Sequence, residues 1–228
     1  EWILGKVDPE RKDRQCQCIV RGMFRFILWL SGTKLVVEGR ENIPKDRAVL
    51  FVGNHRPYFD ILTTYLVMER KTGYIAKKEM ERYPLLKNWM HNIGCLFLNR
   101  QDIKEGLKTI LQAIADIKGG TSLVIYPEGT RNRGGAGAPL LMEYKEGSMK
   151  IAEKAKCPVV PMAELGTAEI FEKHMPFIRP ARVVLRFGKP FYIAELPEEF
   201  RKKPAAYAKA RIEEMLMEMQ KEYPDIRI

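Results

Sequence analysis

Histidine is scarce in this 228-residue chain, with three in all, and there are only four cysteines. Cys16 and Cys18 form a C-x-C with no second ligand pair and no histidine nearby, which argues against a zinc site. Cys95 and Cys157 sit in or beside apolar runs and read as core thiols. Nothing resembles the cysteine framework of a small secreted domain, so a reducing, cytosol-facing compartment is expected. No apolar run is long enough to cross a bilayer. The chain opens on Glu1 rather than Met, from which we expect residues removed upstream, so the missing span describes these residues alone. Repeats, low-complexity segments and a G-x-S-x-G elbow are also lacking, and the last of these counts against a serine-hydrolase route. The basic residues are dispersed and accompany no recognised nucleic-acid motif, so no nucleic acid is expected as a partner.

Thirty-nine Lys and Arg face 29 Asp and Glu, a formal charge of +10. That excess favours an anionic partner, whether nucleic acid, an acidic membrane surface or a phosphorylated substrate, and by itself does not choose among them. The length fits one domain, or one domain with an appendage, and the apolar fraction is ordinary for a folded protein.

The chain is organised around residues 49–60, VLFVGNHRPYFD. The run from Val49 to Val52 reads as a buried strand closed by Gly53 and Asn54. After Asp60, the residues Ile61, Leu62, Tyr65, Leu66 and Met68 recur at helical spacing. His55 therefore stands at a strand end, and Asp60 near a helix start. Such a turn can fold the carboxylate onto the imidazole, holding one ring nitrogen protonated and leaving the other as a base. The alternative is a solvated histidine beside an aspartate that only caps the helix.

Residues 10–31 combine Arg11, Lys12, Arg14, Arg21 and Arg25 with a broad apolar side ending near Trp29. This basic amphipathic helix suits either an anionic lipid interface or packing on the domain. It defines a membrane-associating helical segment at 1–33, followed by a catalytic domain at 34–228.

Further strands are read at 34–38, 74–76, 94–98, 121–126, 158–163 and 181–187, and helices at 84–92, 102–118, 145–156 and 204–222. Asp102 and Glu105 form a capping-box pattern, and Ile103, Leu107, Ile110, Leu111, Ile114 and Ile117 fall on one helical face. Pro161 inside its strand suggests a sheet edge, a bulge or a strand end. The alternation argues for an α/β fold, with a largely parallel or mixed sheet covered by helices on both faces. Three strands then run into His55 with Asp60, Asn99 with Arg100, and Glu128 with Arg131. In open α/β sheets ligands collect at the carboxyl ends of strands. Parallel strands would deliver a base, a carboxylate and two phosphate-matching guanidiniums to one rim. Gly129 lets backbone N–H groups approach an anion, and Lys77 and Lys78 either add positive charge there or form a solvated pair. His91 and His174 lack partners of this kind and read as structural.

NHRPYFD, then FLNR, then YPEGTR resembles the glycerolipid acyltransferase superfamily, and within it the bacterial 1-acyl-sn-glycerol-3-phosphate (lysophosphatidic acid) acyltransferases. Four blocks match in order: Asn54 and His55 to Asp60, residues 97–100, residues 127–131, and Val159-Val160-Pro161. Tyr144 to Ser148 resembles the family's aromatic-Lys-x-Gly stretch, and the match runs from Val36 to Phe187. The resemblance implies His55 as general base and Asp60 as its orienting carboxylate. It implies that Glu128, Gly129, Thr130 and Arg131 bind the glycerol phosphate with Arg100 assisting, and it places Pro161 on the acyl-donor side. The implied reaction moves a fatty acyl group from an acyl thioester (acyl-CoA or acyl-ACP, with acyl carrier protein then a partner) to the sn-2 hydroxyl of lysophosphatidic acid. It implies no bound cofactor, no metal and no acyl-enzyme, and a location on the cytoplasmic face of a membrane carrying anionic lipid. Relatives often carry a hydrophobic N-terminal anchor that this chain lacks. The alternatives are a sister enzyme using glycerol 3-phosphate or a lyso-aminolipid, and a non-catalytic protein that binds anionic lipid.

Overall fold

In the computed structural model, which describes residues 9–55, 57–129 and 139–226, the chain opens with helix α1 (Pro9–Leu30) and strand β1 (Lys34–Glu38). Strand β2 (Leu50–Gly53) leads into helix α2 (Phe59–Val67), and β3 (Thr72–Lys77) into α3 (Pro84–Asn92). Then come β4 (Leu96–Leu98), α4 (Ile103–Lys118), β5 (Ser122–Ile125), α5 (Lys150–Ala155), β6 (Val159–Leu165), β7 (Arg182–Phe187), α6 (Glu198–Arg201) and α7 (Pro204–Glu222).

The seven strands form one sheet in the order β1-β7-β6-β2-β5-β3-β4. The five from β6 to β4 are parallel, whereas β7 is antiparallel to β6 and β1 runs with β7. The expected mixed sheet is what forms. Apolar residues on both faces of the central strands explain it: Leu50 and Val52 belong to one core cluster, and Phe51 and Val49 to another. Side chains alternate across a strand, so a continuous apolar run requires cover on both sides. α4, α5 and α7 pack on the first side, and α1, α2 and α3 on the second.

Three expectations change in detail. Pro161 is not on an edge, because β6 lies between β2 and β7. Its missing N–H is tolerated because the ladder to β7 starts one residue later, at Met162, while the Pro161 carbonyl accepts from Gly188 at 2.8 Å. The apolar residues of α4 divide into two stripes. Gly106, Ala113 and Ile117 are buried, but Ile103 is 87% exposed, and Leu107 and Leu111 are exposed too. The small residue decides this orientation, since a Cβ at Gly106 would stand 2.8 Å from the Asn99 carbonyl oxygen. Residues 145–156 form a 3-10 turn (Glu146–Met149) before α5 rather than one helix.

α1 also has two apolar stripes. Cys16, Val20 and Leu28 are buried against the domain with Phe24 and Ile27 partly so, while Ile19, Met23, Phe26, Trp29 and Leu30 face outward. The helix therefore packs on the domain and keeps a second apolar side. No helix among the described residues is long and apolar enough to cross a membrane.

Candidate active site

The parallel strands β2, β5, β3 and β4 bring their carboxyl ends to one rim. At the end of β2, Asn54 ties the loop to β6: its Nδ2 donates to the Glu164 carbonyl at 3.0 Å, and its Oδ1 accepts from the Glu164 amide at 2.9 Å. The next residue, His55, is thereby placed over the rim.

Asp60 lies in the first turn of α2 and is fully buried, so a carboxylate here has to be hydrogen-bonded. Its Oδ2 stands 2.9 Å from His55 Nδ1, and its Oδ1 accepts from the Thr167 hydroxyl at 2.7 Å. Tyr58, not Asp60, occupies the N-cap of α2, so the capping alternative does not apply. A carboxylate accepts, so the Nδ1 contact fixes that proton and leaves Nε2 as the basic nitrogen. The imidazole side chain is 20% exposed and stacks on Tyr126 at 4.3 Å and 19°. An aromatic face on one side and a buried carboxylate behind hold the ring in one orientation.

Glu128 is buried, and both its oxygens accept from main-chain amides: Oε1 from His55 at 3.0 Å and Oε2 from Met142 at 2.9 Å. Glu128 thereby bridges the histidine loop to the loop after β5. Gly129 has φ +74°, and Arg100 donates to its carbonyl. A Cβ at Gly129 would meet the Arg100 guanidinium, so glycine is needed both for its backbone angle and for this contact. Arg100 and Gly129 thus come together from β4 and β5 as expected. Thr130 and Arg131 lie outside the described residues.

Other expected residues sort differently. Lys78 pairs with Glu105 and, at 3.3 Å, with Glu81, whereas Lys77 is exposed at the end of β3. Asp102 caps α4 as read, accepting from the Lys104 and Glu105 amides at 2.8 and 3.0 Å. The Glu105 side chain does not complete the capping box. It turns to Lys78 and to Asn99 Nδ2, and Asn99 Oδ1 takes the Asp102 amide at 3.3 Å. Pro161 is buried within β6, below the rim. Cys95 is buried, and burial pushes its thiol up to about 12, the behaviour of a core thiol and not of a nucleophile.

Two polar residues went unnoticed in the sequence. Thr167 touches the Asp60 carboxylate from 107 positions away. Glu164 lies fully inside β6, with the Thr63 hydroxyl on its Oε1 at 2.5 Å. Burial, then the Asp60 charge, pushes the Glu164 carboxyl well above the usual carboxylate range. The short G-T after a strand carries no motif, and a lone Glu in VVPMAEL reads only as a strand residue. No group of three or more His, Cys, Asp or Glu among the described residues is placed to hold a metal ion.

Residues 34–164 match the acyltransferase family model. The 1-acyl-sn-glycerol-3-phosphate acyltransferase of Borreliella burgdorferi is 33% identical over 159 residues, covering 70% of this chain and 62% of that protein. The probable 1-acyl-sn-glycerol-3-phosphate acyltransferase of Mycoplasma pneumoniae is 33% identical, covering 62% of this chain and 53% of that protein. This chain thus spans between half and two thirds of the length of these curated relatives. The crystal structure of the 1-acyl-sn-glycerophosphate (LPA) acyltransferase PlsC from Thermotoga maritima aligns with a TM-score of 0.78 at 25% identity, covering 93% of this chain and 83% of that one.

Proposed function

The chain belongs to the acyltransferase family, and from that premise we propose that it moves a fatty acyl group from an acyl thioester to the sn-2 hydroxyl of 1-acyl-sn-glycerol 3-phosphate, giving phosphatidic acid. The observation that carries this reading is the 2.9 Å contact of His55 Nδ1 with the buried Asp60 carboxylate. The relatives named for that reaction supply the substrate class.

In the proposed step, His55 Nε2 takes the proton of the sn-2 hydroxyl as that oxygen adds to the thioester carbonyl. The C–S bond of the tetrahedral oxyanion then breaks, and the imidazolium returns the proton to the departing thiolate. Asp60 stabilises the imidazolium, and Thr167 holds Asp60. Glu128 positions the His55 backbone. Arg100, with Arg131 and Thr130 from the motif and Lys77 at the rim, supplies charge and donors for the acceptor phosphate. Acyl-CoA or acyl-ACP serves as cosubstrate. We place the reaction at an anionic membrane surface on its cytoplasmic face, because the acceptor and the product are amphiphiles and the chain is basic.

The test is turnover on a panel of lyso-acceptors and glycerol 3-phosphate with both donor types. Transfer to lysophosphatidic acid that is lost in His55→Ala is expected. Preference for another acceptor would replace the substrate, and undiminished turnover in His55→Ala would remove the mechanism.

A further inference from the structure

One residue of β6 is joined to both sides of the dyad. The main chain of Glu164 exchanges two hydrogen bonds with the side chain of Asn54, the residue before His55. The Glu164 side chain goes to the other partner's helix. Its Oε1 accepts from the Thr63 hydroxyl at 2.5 Å, and Thr63 stands about one turn after Asp60 in α2. A little further along the same chain, Thr167 donates to Asp60 Oδ1. The 2.9 Å distance from His55 Nδ1 to Asp60 Oδ2 is thus spanned from behind by the end of β6.

A carboxyl at this position opposes folding. Glu164 is 4% exposed, and its Oε2 is buried with no hydrogen-bond partner among the described residues. The charge that acts on it, from Asp60, is of like sign. Tyr74 and Tyr126 complete the surroundings: burial pushes both phenols up, and Glu164 adds to the effect. Tyr126 is also the ring stacked on His55. An apolar side chain of similar volume would remove an unpaired polar atom and a like-charge contact. Replacements of that kind are commonly neutral or stabilising. Stability therefore does not account for the carboxyl, whereas the span from β6 to Thr63 does, since a side chain of this length with an acceptor at its end bridges it.

We propose that Glu164 is a positioning residue for the transfer step, tying the His55 loop and the first turns of α2 to one point of β6 through Asn54 and Thr63. It touches no reacting atom, and acts by fixing the distance and angle at which Asp60 meets the imidazole. Small displacements of catalytic groups have large effects on rate. A hydrogen bond and not a charge holds Thr63, so glutamine in the same place serves as well. This deepens the proposed acyl transfer and rests on it for the rate, but the state of the dyad is measured without turnover.

The experiment compares Glu164→Gln, Glu164→Met and Thr63→Val with the unmodified protein. Methionine keeps an unbranched side chain of similar size but offers only a weak acceptor. Glu164→Met should lower kcat about three- to tenfold at unchanged acceptor KM, the effect of one hydrogen bond. Its melting temperature should equal or exceed that of the parent. Glu164→Gln should restore most of the rate. Thr63→Val should match Glu164→Met, and the double substitution should add little. The second readout is the Nδ1 proton of His55 by NMR, assigned by its absence in His55→Ala. It should be sharp in the parent and Glu164→Gln, and broadened by solvent exchange in Glu164→Met. A parental kcat in Glu164→Met overturns the proposal, as does a kcat that falls together with the melting temperature. Equal losses in the Gln and Met variants, or additive losses in the double substitution, overturn it too. If no acceptor is turned over by any form, the acyl-transfer reading fails. The His55 proton then still decides whether Glu164 holds the dyad, and an equally sharp signal in all forms means that it does not.

Discussion

The Thr167 hydroxyl lies 2.7 Å from Asp60 Oδ1, on the opposite side of the carboxylate from His55. It makes the dyad the visible part of a three-residue chain. A hydrogen bond to a charged group contributes about 1.5–3 kcal/mol. Thr167→Val should therefore lower kcat by about ten- to a hundredfold at little changed acceptor KM. Thr167→Ser should restore most of it. An unchanged kcat in Thr167→Val would make Thr167 a packing residue.

Removal of the base is the larger change. His55→Ala should cost about 10²–10⁴-fold in turnover with the fold retained, because the residue sits on the rim. Asp60→Asn should leave weak activity with the ring misoriented or in the wrong tautomer. Stopped assays over a pH series, with circular dichroism for the fold, check both.

Gly129 and Arg100 should behave as one unit. Gly129→Ala places a methyl where the guanidinium rests, so it should raise the acceptor KM about as much as Arg100→Ala does. The double substitution should add little further. Full additivity would show that the two residues act separately. Arg131→Lys should fail to restore what Arg131→Ala loses, since an ammonium lacks the planar fork.

Glu164 gives stability a pH dependence. Its carboxyl is raised in the folded state above the ordinary 4.5, so the native protein holds a proton that the unfolded chain has released. Stability from this group is full below the unfolded value and falls as pH rises through the window above it. Glu164→Gln keeps an acceptor for Thr63 and removes the titration. Urea midpoints measured from about pH 5 to about pH 8 should therefore decline less in the variant than in the parent. Parallel declines would assign the slope to other groups.

His55 and Asp60 were legible because five residues of local chain carry them, one ending a strand and the other starting a helix. Arg100 and Gly129 were legible as strand ends, once a parallel sheet was inferred from the alternation of elements. Thr167 and Glu164 were not, since their contacts depend on β6 lying next to β2, and strand order leaves no local mark. The same gap misplaced Pro161, whose interior position is allowed only by where the ladder to β7 begins. On α4 and α1 periodicity identified apolar residues correctly but could not say which of two stripes the sheet would take. Close approach at Gly106 decided the first. The resemblance alone gives Glu128 a place at the phosphate, and its two amide partners appear only when the loops are brought together.

The pairing of β1 with β7 also sets an order in time. β1 has no other neighbour in the sheet among the described residues, and the Glu38–Arg186 contact at 2.6 Å joins the two strands across 148 positions. At about 5–20 residues per second, a ribosome needs roughly 7–30 s to supply that partner after β1 has emerged. The earliest strand made is thus the last to be laddered, and during synthesis the nascent chain carries an open β edge directly behind an amphipathic helix. Chains stalled before Arg182 should be cut by protease around 34–38, and chains stalled well beyond Phe187 should be protected there. Equal cutting in both would mean that β1 is sheltered by something other than its strand partner.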